Sequence, residues 1–166
     1  MTPQRPDMPT YERSVRVEAP FDRVWDFHST EDGLVALTPE FMNLRIESVR
    51  GPDGEPDPEV LEPGSVVESS VRPFGVGPRQ TWVSDIVARG RSDGAGYFRD
   101  DMAEGPFPSW THTHMFYADG GSTIVRDKVE YELPLGGVGR ALGPLGFVGF
   151  EPMFRFRHRK TKELLE

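Results

Sequence analysis

The chain has 166 residues and 36% hydrophobic content, the size of one domain able to bury about two-thirds of the surface its unfolded form exposes. Its formal net charge is −8, from 19 basic and 27 acidic residues, and it has no cysteine, which excludes disulfides, thiolate nucleophiles, Cys-bound zinc and iron–sulfur clusters. The acidic balance argues against a nucleic-acid partner, because a phosphate backbone is gripped through clustered Lys and Arg.

The N-terminal stretch from Met1 to Pro9 is polar and Pro-rich, reads as a flexible tail, and carries no apolar signal-peptide segment. No apolar run approaches the roughly 20 residues that span a bilayer, so neither membrane insertion nor an exported location is expected, and the cytoplasm is the expected compartment. Residues 10–166 form the single predicted domain. Thr10 to Ala19 alternate as a first strand, with Val15 and Val17 on the apolar face and Tyr11, Ser14, Arg16 and Glu18 interleaved. Pro20 starts a helix whose stripe is Phe21, Val24, Trp25 and Phe27 or His28. A second short helix, about Thr30 to Leu37, is capped by Ser29 or Thr30 and stops before Pro39.

Six more strands are predicted from the alternation and the turn signals between them: Leu44 to Val49, Ser65 to Arg72, Gln80 to Arg89, Gly96 to Met102, Ser109 to Ala118 and Ser122 to Leu133. Pro52 to Pro58 is a polar acidic loop. A Gly-rich stretch from Gly136 to Gly149 reads as a hinge. It leads into a last helix, Phe150 to Leu165, whose aromatic stripe includes Phe147, Phe150, Phe154, His158 and Leu165. The basic run from Arg155 to Lys162 reads as that helix's solvated face, and His158 is assigned to solvent by its basic neighbours. Strands in a run with helices at the ends give an α+β domain: a curved seven-stranded antiparallel sheet with the terminal helix across its concave face and a pocket between.

The opening Val15-Arg16-Val17-Glu18-Ala19-Pro20-Phe21-Asp22-Arg23-Val24-Trp25-Asp26-Phe27 resembles the entry of the START-like or SRPBCC (helix-grip) superfamily, in which a strand ends in Pro and an amphipathic helix carries a central Val-Trp pair. Phe98 to Phe107, then Trp110-Thr111-His112-Thr113-His114-Met115-Phe116 and Asp127 to Pro134, are similar to a ligand-binding, polyketide cyclase/dehydrase-like subgroup. The resemblance implies a cavity and not a particular reaction, because the fold hosts binding proteins and enzymes alike.

Period-two alternation assigns the strand faces independently of any family. On the last strand Val125, Asp127, Val129, Tyr131 and Leu133 point inward. Trp110, His112, His114 and Phe116 do so on the strand before it, and Phe98, Asp100 and Met102 on the next. Val67, Ser69, Val71, Trp82, Ser84 and Ile86 extend the lining. An aromatic interior thus holds Asp100, His112, His114 and Asp127, and pairing among them is expected to raise the histidine pKa values and lower those of the carboxylates.

Three uses fit that group. The histidines and carboxylates can satisfy one another and fix register, or orient the polar end of an apolar ligand, or act as acid and base in a cyclisation, dehydration or hydrolysis. The expected partner is a hydrophobic or aromatic small molecule, lipid or polyketide-like, contacted by Trp82, Phe98, Asp100, Met102, Trp110, His112, His114, Phe116, Asp127 and Tyr131. A protein-interaction groove and a homodimer stay open. No cofactor is expected and no metal set is assigned, although His112-x-His114 with Asp100 or Asp127 as a third ligand is a geometric option. Ser69 and Ser84 lack any activating context. Phe147, Val148, Phe150, Met153 and Phe154 read as core of the last helix or as an apolar gate.

Overall fold

A computed structural model of the chain describes residues 8–166, so most of the expected N-terminal tail lies outside the described residues. Seven strands form one antiparallel sheet in the order β1-β7-β6-β5-β4-β3-β2: β1 Thr10–Val17, β2 Arg45–Arg50, β3 Val66–Val71, β4 Gln80–Ser92, β5 Ala95–Glu104, β6 Ser109–Asp119 and β7 Ser122–Glu132. Helices α1 (Phe21–His28) and α2 (Glu31–Ala36) follow β1, and α3 (Gly136–Leu142) and α4 (Phe147–Leu165) follow β7. Register shifts interrupt β4 against β5 twice, between Val83 and Ser84 and between Ile86 and Ala88. Such irregularities bend and twist a strand, which is how a long sheet curls around a helix.

The local signals explain the element ends. Pro20 sits at the N-cap of α1, one position before the helix proper, and His28 rather than Phe27 completes its buried stripe with Phe21, Val24 and Trp25. The Thr30 hydroxyl caps α2 by accepting the Gly33 N–H at 3.2 Å. Tyr11 departs from its sequence assignment. It shares the inner face of β1 with Val15 and Val17, is buried, and its hydroxyl donates to Glu151 of α4 at 2.5 Å.

The Gly-rich stretch read as a hinge folds into α3 and a 3-10 turn, Gly143–Gly146, whose Gly143 carbonyl accepts from the Tyr131 hydroxyl at the end of β7. A Cβ at Gly139 would stand 2.0 Å from the Pro134 carbonyl oxygen, and one at Gly146 would stand 2.4 Å from the Tyr131 hydroxyl. These glycines therefore serve close approach.

On the concave side α1 seats Trp25 over Phe98 and Phe116, while α4 brings Phe150 and Phe154 against Tyr11, Trp110, Val129 and Tyr131. A third apolar group, Val49, Leu61, Val67 and Ile86, lies under β3 and β4. Burying each large side chain contributes about 1.5–3 kcal/mol. Where the three groups meet they do not fill the space.

Candidate functional site

That space is a cavity of about 150 Å³. Val67, Val71, Trp82, Ile86, Phe98 and Trp110 line it from the sheet, Leu34 and Leu37 from α2, and Met153, Phe154 and Arg157 from α4. Its charged wall is built on β6. Cross-strand register sets His112 opposite Asp100 of β5 and His114 opposite Asp127 of β7.

The four side chains interlock. His112 Nε2 lies 2.8 Å from Asp127 Oδ1, and His114 Nδ1 lies 3.2 Å from the same oxygen. On the cavity side His114 Nε2 is 3.0 Å from Asp100 Oδ1 and His112 Nδ1 is 4.0 Å from it. The two imidazoles stack, with ring centroids 3.7 Å apart. Phe98 covers His114 at 4.1 Å, and Phe154 of α4 presents its edge to His112 at 5.2 Å. Asp127 is 2% exposed and uses its second oxygen too, accepting from His158 Nε2 of α4 at 2.6 Å.

Burial opposes ionisation of Asp127, yet hydrogen bonds from His112, His114 and His158 outweigh it and hold its carboxyl well below the usual range. Asp100 is likewise lowered despite its burial, by the His114 hydrogen bond and the charges of His112, His114 and Arg157. The expectation that both histidine pKa values rise holds for one only. For His114, hydrogen bonds to Asp100 and Asp127 overcome burial and raise the pKa. For His112, burial and the adjacent His114 charge prevail and lower it. His114 is thus the more basic imidazole of the pair, with a carboxylate oxygen beside each ring nitrogen. His112 donates Nε2–H to Asp127, and its Nδ1 makes no hydrogen bond among the described residues.

Of the sequence-assigned contact residues, Trp82, Phe98, Asp100, Trp110, His112 and His114 line the cavity. Phe116 does not, because Trp25 and His28 pack over it at 5.6 and 5.0 Å. Tyr131 is shut off by Phe150, its hydroxyl donating to the Gly143 carbonyl at 2.6 Å. Met102 packs into the Trp110 and Phe150 group, and Asp127 sits behind the imidazoles. Val67, Ser69, Val71, Ser84 and Ile86 are on the lining as alternation placed them, and the Ser69 hydroxyl donates to the Trp82 carbonyl at 2.9 Å. In the apolar run of α4, Phe150 and Phe154 are buried and Val148 is exposed; the Phe147 side chain lies outside the described residues.

Two α4 residues overturn the reading of Arg155 to Lys162 as one solvated face. His158 is 3% exposed and bonded to Asp127, and Arg157 lines the cavity with its Nε buried and without a hydrogen-bond partner. The signal was present: Phe150, Phe154, His158, Thr161 and Leu165 fall at helical spacing, and all are buried. His28 of α1 was also missed as lining. Its Nδ1–H donates to the Val24 carbonyl at 2.8 Å, and burial pushes its pKa down to about 3.

Among the described residues no helix is long and apolar enough to cross a membrane. No protein-family model and no curated protein matches the chain. Solved structures do match. A Thermus thermophilus protein is 18% identical, with 93% of this chain and 95% of that one covered and a TM-score of 0.65. Norcoclaurine synthase from Thalictrum flavum, solved with dopamine and hydroxybenzaldehyde, is 17% identical over 93% of this chain and 84% of that one, at a TM-score of 0.62. A START superfamily protein from Mycobacterium smegmatis is 14% identical over 93% and 98%, at 0.56. With the seven-stranded curved sheet, the paired helices after its first strand and the long terminal helix, these likenesses show that the chain has the helix-grip fold.

Proposed function

We propose that this chain binds one compact, mainly apolar small molecule in the cavity beneath α4, with a hydrogen-bonding end turned toward Asp100, His112, His114 and Arg157. The observation that carries this reading is the make-up of the wall, in which apolar and aromatic side chains surround a few convergent polar groups. Arg157 supports it independently. It lines the cavity and brings a fixed positive charge to the same wall, close enough to lower the Asp100 pKa, so an anionic or carbonyl oxygen of a ligand is favoured at that end. The volume of about 150 Å³ favours a molecule near the size of a single ring over a lipid acyl chain.

Native mass spectrometry of the purified chain, compared with its denatured mass, tests the reading, followed by thermal-shift titration with single-ring phenols and carboxylic acids. A retained small organic molecule, or saturable stabilisation by one of the series, is expected. A clean mass together with no stabilisation by any member would sink the proposal. Substituting His112→Asn separates binding from catalysis: a binding protein loses affinity, whereas an enzyme keeps affinity and loses turnover.

A further inference from the structure

We propose that Asp100, His112 and His114 form a site for one divalent transition-metal ion at the polar wall of the cavity, with Asp127 as the carboxylate that aims both imidazoles. The site shares the cavity with the organic ligand proposed above but does not require that ligand.

The donors already converge. One donor atom from each of the three residues lies within 4.8 Å of the others, and Asp100 Oδ1 is 3.0 Å from His114 Nε2 and 4.0 Å from His112 Nδ1. Ligands bound at about 2.0–2.2 Å stand about 2.8–3.1 Å apart in octahedral and about 3.3–3.6 Å apart in tetrahedral geometry, so donors up to 4.8 Å apart close by about 1–2 Å to hold an ion. It takes the place of the proton between His114 Nε2 and Asp100 Oδ1, and that proton leaves to solvent.

The orientation is what distinguishes this cluster from an ordinary buried ion pair. Both imidazoles turn their far nitrogens to the same oxygen, Asp127 Oδ1, at 2.8 and 3.2 Å. A carboxylate on the far nitrogen fixes the tautomer of a metal-binding histidine and directs its lone pair at the ion. Asp127 does this for two ligands at once and is itself held by His158. The sequence left Asp100 and Asp127 as alternative third ligands. The structure separates them: Asp100 is on the cavity side and Asp127 behind the rings.

Two imidazoles and one carboxylate suit Zn2+, Fe2+ or Co2+, and three protein ligands leave positions open toward the cavity. Arg157, whose charge reaches Asp100, works against a bare cation and favours one that carries an anionic oxygen ligand.

The full-length chain, stripped with a chelator, is titrated with Co2+ while its visible absorption is recorded, and dialysed against Zn2+ with metal analysis. One ion per chain is expected, with a ligand-field spectrum showing nitrogen donors. Asp100→Asn and His114→Gln should each weaken binding by about 100-fold or more, and Asp127→Asn by about 10- to 100-fold. Circular dichroism checks that each variant is folded, and Asp100→Asn keeps the shape of the site should the histidine variants unfold. No stoichiometric binding, or binding unchanged in the folded Asp100→Asn variant, overturns the proposal. An organic ligand found by native mass spectrometry or thermal shift, with no metal bound in the titration, would leave the cavity reading standing and remove this one. Stoichiometric metal binding with a clean organic mass and no thermal stabilisation would do the opposite.

Discussion

His114 bridges two carboxylates, its Nδ1 3.2 Å from Asp127 and its Nε2 3.0 Å from Asp100, so that β5, β6 and β7 are cross-linked through one imidazole ring inside the sheet's concave face. Asp127 is the hub of that link, because it also holds His112 and, from α4, His158.

Replacing Asp127 with Ala should therefore be the most damaging single change in the polar wall. It leaves buried His112 and His158 without their carboxylate acceptor, removes one of the two beside His114, and breaks the side-chain bond from α4 to β7. A loss of about 3–5 kcal/mol is expected on breaking such a buried pair. Equilibrium urea unfolding of Asp127→Ala measures it, and a loss no larger than that of an exposed Asp, such as Asp53→Ala, would show that the hub carries no stability.

Arg157 predicts the opposite sign. Its Nε is buried without an acceptor, and its side chain forms no hydrogen bond or ion pair among the described residues. Arg157→Met should leave stability unchanged or raise it by about 1 kcal/mol, while lowering affinity for an acidic or carbonyl-bearing ligand about tenfold or more. The same urea titration, paired with calorimetric binding of the ligand found by native mass spectrometry, reads both effects.

His28 gives a pH dependence. Burial, reinforced by the charges of Arg157 and His114 and opposed by the Val24 carbonyl and Asp127, lowers its pKa from 6.5 to about 3. Below the unfolded value the unfolded chain takes up a proton that the native chain refuses. This contribution to stability is whole above about pH 6.5 and falls as pH drops toward the folded value, by about 1.4 kcal/mol per pH unit. Unfolding free energies measured from about pH 7 to pH 5 should show a shallower slope in His28→Gln than in the parent. Equal slopes would assign the acid sensitivity to other groups.

Gly96 on β5 should not accept a side chain. A Cβ there would stand 2.6 Å from the Trp25 ring, which seats α1 on the sheet. Overpacking of this kind costs about 1–3 kcal/mol. Gly96→Ala should lower the unfolding midpoint and shift the Trp25 fluorescence. A neutral result would mean that α1 moves freely over β5.

The local part of this architecture was legible in the residues. Alternation on β5, β6 and β7 turned Asp100, His112, His114 and Asp127 to one face, and Pro20, Thr30 and the Val24-Trp25 pair located the first helices, because strand and helix periods act over a few residues. Other features lie beyond that range. Which oxygen faces which nitrogen follows from strand register. The burial of His158 and the turning of Arg157 to the cavity follow from the rotation of α4 over the sheet, and the withdrawal of Phe116 and Tyr131 from the cavity follows from Trp25 and Phe150 packing over them. Only the folded chain brings α4 to β7, and the energy of that contact, not any local preference, decides which side chains meet.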